Sequence, residues 1–227
     1  MSVGSIFFDL DGTLVDTLPG IEHSCLAALR SVLPGRKLGG LRQRMGPPIR
    51  EIFRQVFNDL NEEKLDELLS HFRASYDNEG WKMSVAYPGV PGTLRRLSFA
   101  GLRCFVVTNK PSKPTYDILR RLRLCAYFDR VICPDVKSAR FTSKAEELRY
   151  LLEELRLAAG QCVFIGDSED DALAARLCEV PFIAAAYGYG QAHLSKNVTN
   201  MVAVISKFPR LIDLDILFHP GPNGNSF

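Results

Sequence analysis

The chain has 227 residues, of which 46% are hydrophobic and 24% charged, and its net charge is +2. This length fits one α/β domain that carries an insertion better than two full domains. The small net charge argues against a general nucleic-acid-binding surface, and no apolar run approaches the about 18 residues that a membrane helix needs. With no charged leader before the first apolar run, we expect a cytoplasmic protein without nucleic-acid or membrane partners.

Five short apolar runs alternate with amphipathic helical patterns along the chain. They cover residues 5–8, 103–107, 130–133, 162–165 and 182–185. Runs this short and this apolar predict strands that are buried on both faces, as in a parallel sheet. The repeated strand–helix order predicts an α/β fold with a Rossmann-like, doubly wound sheet.

Residues 18–87 interrupt this alternation, because only helical patterns are found there. Two apolar stripes follow the helical period: Ile49, Ile52, Phe53, Val56 and Phe57, then Leu65, Leu68, Leu69, Phe72 and Tyr76. A helical insert directly after the first strand would cover the sheet edge where ligands bind in such folds. We therefore predict a core of residues 1–17 and 86–227 and an all-helical cap of residues 18–85.

The cysteines are spread along the chain without CxxC spacing, and several lie inside apolar runs. This distribution predicts buried reduced thiols rather than disulfides or a metal site. The six cysteines are Cys25, Cys104, Cys125, Cys133, Cys162 and Cys178.

The first strand ends in two acids, Asp9 and Asp11, followed by Gly12. Residues i and i+2 of an extended chain point to the same side, so both carboxylates can face one pocket. A single aspartate at this position is more often a turn former or a helix cap. An EF-hand calcium loop is a further alternative, but it needs an acid where Gly20 stands.

A second acidic group, Asp167 and Asp171, follows the run at 162–165. One of its neighbours, Ser168 or Asp170, is expected to cap the next helix. Because parallel strands end at the same sheet edge, these acids should meet those after the first strand. Several close carboxylates need a cation to stay ionised, and oxygen-only ligands favour Mg²⁺.

Thr108 and Asn109 follow the second predicted strand, and Lys144 opens a helical stripe. A hydroxyl and backbone N–H groups at the strand end could bind phosphate oxygens, although Thr-Asn is also a common turn. A lysine at a helix N-terminus is unfavourable unless an anion lies nearby. Lys137 is the alternative phosphate-binding lysine. Lys144 could also be an ordinary exposed lysine that binds no phosphate.

These four motifs, in this order, resemble those of the haloacid dehalogenase superfamily of phosphatases. Asp9-Leu10-Asp11-Gly12-Thr13 is similar to its first motif, Thr108 to its second, Lys144 to its third, and Gly166-Asp167 through Asp171 to its fourth. Three segments resemble the phosphoglycolate-phosphatase-like branch: residues 87–90, 108–111 and 187–190. Lys144 departs from the family pattern, because Ala145 stands where a proline is usual.

The resemblance implies a role for each motif. Asp9 would be the nucleophile and Asp11 the general acid and base. Mg²⁺ would be held by Asp9, the backbone carbonyl of Asp11 and Asp167. Thr108 and Lys144 would bind the phosphoryl oxygens.

Two further residues have a less direct implied role. Asp171 would position Lys144 or a metal-bound water, and Asn109 belongs to the expected substrate-binding set.

The cap contains a basic window, since no acidic residue lies between Glu22 and Glu51. We expect Arg44 or Arg50 to bind the part of the substrate that carries no phosphate. The alternative is a solvated basic face that pairs with the acids after it. The basic residues of the window are Arg30, Arg36, Lys37, Arg42, Arg44 and Arg50.

Together these observations predict a Mg²⁺-dependent phosphatase of a small phosphorylated metabolite, with phosphoglycolate as a candidate, acting as a monomer or weak homodimer. A phosphomutase for sugar phosphates and a catalytically silent phosphate-binding regulator remain alternatives. Asp11 argues against a silent binder and against a dehalogenase, because neither needs an acid at that position.

Overall fold

The computed structural model describes residues 3–136, 141–190 and 198–218. Its centre is a six-stranded sheet in the order β5-β4-β1-β6-β7-β8 with parallel pairing throughout. A separate two-stranded antiparallel sheet joins β2 to β3. The strands are β1 (Ser5–Phe8), β2 (Val15–Asp16), β3 (Val85–Ala86), β4 (Arg103–Val107), β5 (Arg130–Ile132), β6 (Cys162–Gly166), β7 (Phe182–Ala185) and β8 (Met201–Ile205).

Helices lie on both faces of the sheet and in the segment between β2 and β3. In chain order they are α1 (Leu18–Val32), α2 (Leu41–Arg44), α3 (Ile49–Val56), α4 (Glu62–Asn78), α5 (Val90–Phe99), α6 (Ser112–Arg121), α7 (Lys144–Glu154), α8 (Glu169–Leu177) and α9 (Asp215–Phe218). Within the described ranges, no helix combines the length and the apolar character that a membrane crossing needs.

Alternate residues of each central strand supply the two halves of the core. On β1, Ile6 and Phe8 pack with α5 and α6, whereas Phe7 packs with α7 and α8. All four β1 side chains are buried, which explains why the strand is a continuous apolar run. The strand order reverses at β1, as in a doubly wound sheet. The predicted fold class is therefore confirmed.

Helices α1 to α4 form a cap with a hydrophobic cluster of its own. Leu29 of α1, Phe53 of α3 and Phe72 of α4 are buried in it. Phe53 and Phe72 meet edge to face, with ring centroids 5.9 Å apart. The helical insert is thus present in the expected segment, and the exact limits 18–85 stay a prediction.

Three strands were not among those predicted. β8 is an edge strand whose Val202 and Val204 are exposed, and β2 and β3 are two residues long. The pair β2–β3 joins the two connections between core and cap. All six cysteines are free thiols, and of these Cys125 alone is not fully buried.

Candidate active site

The carboxyl ends of β1 and β6 bring three acids together. Phe8 is in register with Ile165, and the Asp9 N–H donates to the Ile165 carbonyl at 2.9 Å. Carboxylate oxygens of Asp9, Asp167 and Asp171 lie within 4.8 Å of one another, and all three residues are buried. The site therefore lies where the strand order reverses, the usual ligand position in this fold.

Lys144 is the cation at the centre of this group. Its Nζ lies 2.9 Å from Asp9 Oδ1 and 2.5 Å from Asp171 Oδ1, and the residue is 3% exposed. Burial acts to lower the pKa of Lys144, but Asp171 and Asp9 outweigh it and the pKa is raised. Lys144 therefore stays charged. Lys137, the alternative lysine, lies outside the described residues.

Asp171 is held in place by a capping box at the start of α8. Ser168 is the N-cap, and Asp171 Oδ2 accepts from the Ser168 hydroxyl at 2.6 Å and from the Ser168 and Asp167 N–H groups at 3.0 and 3.1 Å. Since Oδ1 accepts from Lys144, both oxygens are engaged. This geometry suits Asp171 to positioning Lys144, as the resemblance implies.

Asp167 is oriented by the backbone of a loop after β7. Its Oδ2 accepts from the N–H groups of Tyr189 at 2.6 Å and Gly190 at 3.1 Å, and its Oδ1 accepts from the Thr13 hydroxyl at 3.4 Å. Burial and then the neighbouring Asp171 raise the pKa of Asp167 to about 7. These hydrogen bonds thus fix the orientation of the Asp167 carboxylate. The positive charge near it is too small to keep its pKa low.

Two glycines leave room for the Asp167 carboxylate. Gly12 has φ of 93°, and a Cβ on it would collide with that carboxylate. A Cβ on Gly188 would also overlap Asp167. Both positions therefore require glycine, Gly12 because of its positive φ as well.

The acids fit a bound Mg²⁺. Asp9 is 4% and Asp167 2% exposed. Burial raises the pKa of Asp9, and Lys144 opposes the rise while Asp171, Asp167 and Asp11 add to it. A divalent cation would relieve this repulsion. Asp9, Asp167 and the backbone carbonyl of Asp11 are the oxygen donors that would hold it.

Asp11 has a partner that the four sequence motifs do not predict. Lys110 Nζ lies 3.2 Å from Asp11 Oδ1 and 3.0 Å from Oδ2. The same ammonium group lies 4.8 Å from the ring centroid of Tyr76 on α4. The lysine directly after Thr108 and Asn109 was the available sequence signal, but its partner is 99 positions away.

Thr108 and Asn109 occupy the end of β4. Thr108 is 1% exposed, and its hydroxyl accepts from the Lys110 N–H at 3.3 Å. The Asn109 amide group donates to Asp170 Oδ2 at 2.7 Å and to the Gly46 carbonyl at 3.3 Å. Asn109 therefore connects the core to the cap loop before α3.

The comparisons with known proteins agree with this geometry. The family model described as haloacid dehalogenase-like hydrolase matches residues 6–185. The chain belongs to the haloacid dehalogenase-like hydrolase family. Among curated relatives, a Pseudomonas aeruginosa 5′-nucleotidase is 33% identical over 187 residues, covering 82% of this chain and 84% of the relative.

A phosphoglycolate phosphatase of Vibrio cholerae is also 33% identical, over 199 residues, covering 83% of this chain and 86% of the relative. Among solved structures, a haloacid dehalogenase-like family hydrolase from Streptococcus pneumoniae superposes with a TM-score of 0.82 at 27% identity, covering 92% of this chain and 96% of that chain. The expected family is therefore confirmed, as is an enzyme of the phosphatase type.

The basic residues of the cap have different positions in this haloacid dehalogenase-like hydrolase. Arg50 pairs with Glu62 at 2.7 Å and with Asp66, both on α4. Arg44 is exposed. These positions resemble the solvated basic face more than a substrate site, and substrate binding by either arginine stays a prediction.

Arg42 is the basic cap residue that reaches the core. Its Nη2 donates to the Gly188 carbonyl at 3.1 Å, and its guanidinium lies 5.3 Å from the Tyr189 ring centroid. It therefore joins the cap to the loop that holds Asp167.

Tyr189 connects Asp167 to residues 16–18, where the chain passes from the core to the cap, and we call this segment the hinge. Its hydroxyl accepts from the N–H groups of Thr17 at 2.7 Å and Leu18 at 3.1 Å, and donates to Asp16 Oδ1 at 2.7 Å. Its backbone N–H donates to Asp167. The sequence marked residues 187–190 by family resemblance but gave them no role.

Proposed function

We propose that the chain is a Mg²⁺-dependent phosphatase that hydrolyses a small phosphorylated metabolite through an aspartyl-phosphate intermediate on Asp9. The observation that carries this proposal is the position of Asp9, buried at a sheet edge within 2.9 Å of the Lys144 ammonium group and beside Asp167. A buried carboxylate, a cation beside it and further carboxylate oxygens thus lie together, which is what the proposed nucleophile, phosphate-binding group and metal ligands require.

Each residue has a step that its position supports. Asp9 attacks phosphorus in line and forms the aspartyl-phosphate, while Asp11 gives a proton to the departing oxygen. Asp11 then takes a proton from the water that hydrolyses the intermediate. Lys144 and Thr108 bind phosphoryl oxygens, where charge builds up in the transition state. Bound Mg²⁺ would supply further neutralisation of that charge.

The closed cap favours a small substrate. The Gly46 carbonyl accepts from Asn109 at 3.3 Å, so the cap loop lies directly over the strand ends. Asp9 is 4% exposed in this arrangement. Phosphoglycolate is the first candidate, because it is small and a relative with 33% identity bears its name. A nucleoside monophosphate is the second, because the P. aeruginosa relative is named a 5′-nucleotidase.

The test is release of inorganic phosphate from phosphoglycolate, nucleoside monophosphates and p-nitrophenyl phosphate. We expect Mg²⁺ to support turnover and EDTA to abolish it. Asp9→Asn should lower kcat at least about a thousandfold, because an enzyme without its nucleophile retains only substrate binding and electrostatic stabilisation. It should also fail to form an acid-labile phosphoenzyme. Full activity of Asp9→Asn, or activity that is unchanged by EDTA, would contradict the proposal.

A further inference from the structure

We propose that Lys110, together with the hydroxyl groups of Tyr76 and Ser84, forms a subsite for a carboxylate on the departing part of the substrate. This subsite would make the enzyme selective for phosphate esters of short hydroxy acids. The proposal rests on the proposed phosphatase function and names the residues that set its specificity.

Lys110 is a buried cation whose ammonium group can bind a further anionic group. It is 8% exposed, and in the described part of the chain its one ion pair is with Asp11. An ammonium group has three N–H donors, and a single carboxylate at 3.0 and 3.2 Å does not need all of them. Buried charges are normally fully hydrogen-bonded. Lys110 can therefore accept a second anionic partner.

Two buried hydroxyl groups nearby make no hydrogen bond of normal geometry to any described residue. Tyr76 is 4% and Ser84 0% exposed, yet neither hydroxyl has a hydrogen-bond partner in the parts of the chain that the structure describes. The Lys110 ammonium group lies 4.8 Å from the Tyr76 ring centroid, and the Tyr76 hydroxyl is close enough to Lys110 and Ser84 to interact with both, although neither contact has normal hydrogen-bond geometry. Buried polar groups are normally bonded. Two such groups beside a cation indicate a place for a polar ligand.

These groups lie on the side of the reaction where the departing group leaves. Asp11 donates its proton to the ester oxygen across a hydrogen bond of about 2.8 Å. Lys110 Nζ is 3.0 Å from Asp11. An anion bound to Lys110 would then be linked to the ester oxygen through Lys110 and Asp11, by successive contacts of about 3 Å each, and would lie beside the departing group. A carboxylate attached directly to the ester carbon, as in phosphoglycolate, suits this position.

The cap arginines are less suited to this task. Arg50 already has two carboxylate partners, Glu62 and Asp66, and Arg44 is exposed. Lys110 is in the core, while Tyr76 belongs to α4 and Ser84 to the return from cap to core. The subsite would thus be completed only when the cap is closed.

The experiment compares kcat/KM for phosphoglycolate with kcat/KM for 2-hydroxyethyl phosphate, in which a neutral CH₂OH replaces the carboxylate. The wild-type enzyme should prefer phosphoglycolate. Lys110→Met should lower that preference roughly 10- to 100-fold, the effect of losing a hydrogen bond to a charged group. Tyr76→Phe and Ser84→Ala should each lower it about three- to tenfold.

Lys113→Met is the matched control, because Lys113 is an exposed lysine at the start of α6 whose ion partner is Asp117. It should leave the preference unchanged. An equal loss toward both esters in Lys110→Met would overturn the subsite, since Lys110 would then only position Asp11. If that variant does not fold, Tyr76→Phe and Ser84→Ala decide, because an unchanged preference in both also overturns the proposal.

Failure of the subsite and failure of the proposed function give different results. A wild-type enzyme that hydrolyses p-nitrophenyl phosphate but shows no preference for phosphoglycolate overturns the subsite and leaves the phosphatase function standing. A wild-type enzyme that is inactive toward every ester overturns both.

Discussion

The Lys144 ammonium group compensates two buried carboxylates at once, those of Asp9 and Asp171. Removing one partner of a buried ion pair leaves uncompensated charge, which typically costs about 3–5 kcal/mol. We expect Lys144→Met to lower the free energy of unfolding by about this amount near neutral pH. Urea unfolding followed by circular dichroism would measure the loss.

The same variant should respond more strongly to Mg²⁺ than the wild-type protein does. A cation bound by Asp9 and Asp167 would replace part of the missing positive charge, so the urea midpoint of Lys144→Met should rise more. Lys113→Met, with its exposed side chain, is the control and should behave like the wild type. Equal unfolding free energies of Lys144→Met and wild type would contradict this account of the site.

Glu147 is a buried acid that the proposed mechanism does not use. It is 1% exposed, its Oε2 has no hydrogen-bond partner among the described residues, and burial raises its pKa to about 8. The native protein therefore keeps this proton at pH values where the unfolded chain has released it. Stability should fall as pH rises from the unfolded pKa of 4.5 toward 8.

Glu147→Gln should remove this dependence. The variant should equal the wild type near the lower end of that range and exceed it at about pH 8.5, by at most about 1.4 kcal/mol per unit of pKa shift. Thermal unfolding across the pH range would measure the difference. Glu153→Gln, an exposed position on the same helix, is the control. A difference between Glu147→Gln and wild type that does not grow with pH would contradict the prediction.

At the scale of helices and strands, the connection that enters the cap is held by the side chain of Tyr189 in addition to the pairing of β2 with β3. The Tyr189 hydroxyl satisfies the backbone N–H groups of Thr17 and Leu18, where α1 begins. Tyr189→Phe keeps the ring and leaves the Thr17 N–H without an acceptor among the described residues, while the Leu18 N–H keeps Asp16 Oδ1 at 3.2 Å. An unsatisfied buried donor costs about 1–3 kcal/mol, so we expect a loss of stability in this range.

The same substitution should also change catalysis if the hinge controls the cap, because hinge variants often shift kcat and KM together. Urea unfolding and steady-state kinetics would measure the two effects. Tyr127→Phe, in the turn after α6, is the control. A variant that is as stable and as active as the wild type would show that the hydroxyl does not hold the hinge.

How far the sequence predicts these elements depends on what each one buries. β1, β4 and β7 have the predicted limits because they are buried on both faces and read as continuous apolar runs. β8 has one neighbour and exposes Val202 and Val204, so the signal of a central strand is absent. β2 and β3 are two residues long, too short for any periodicity.

The same limit applies to the site. Acids at strand ends could be placed together from topology alone, because parallel strands end at a common edge. The pairing of Lys110 with Asp11 and the hinge contacts of Tyr189 depend on side-chain directions between distant segments. The direct neighbours of Lys110 and Tyr189 in the sequence carry no information about those partners.

At the scale of the whole molecule, the burial of Asp9, which is 4% exposed, leads us to expect that the cap moves to admit substrate. Trp81 is the single tryptophan of the chain, and it packs against both the cap cluster and the core cluster. Its indole N–H donates to the Asp77 carbonyl at 3.1 Å. Because its surroundings come from both parts, its fluorescence should report their relative movement.

We expect phosphoglycolate, added with Mg²⁺ to the inactive Asp9→Asn protein, to shift the emission maximum of Trp81. Fluorescence titration would measure the change, and Trp81→Phe should abolish the signal. Emission that stays constant while phosphoglycolate binds, as followed by calorimetry, would show that the surroundings of Trp81 do not change.

The loop after β7 whose N–H groups bind Asp167 limits how far the chain could be shortened without loss of activity. The match to the family model ends at residue 185, after the last of the four motifs. A chain cut there would keep all of the expected catalytic side chains. Asp167 would nevertheless lose the N–H donors of Tyr189 and Gly190, and the Thr17 N–H before α1 would lose its acceptor. The shortest active chain should therefore extend past the last of the four motifs, to the backbone amide groups of Tyr189 and Gly190.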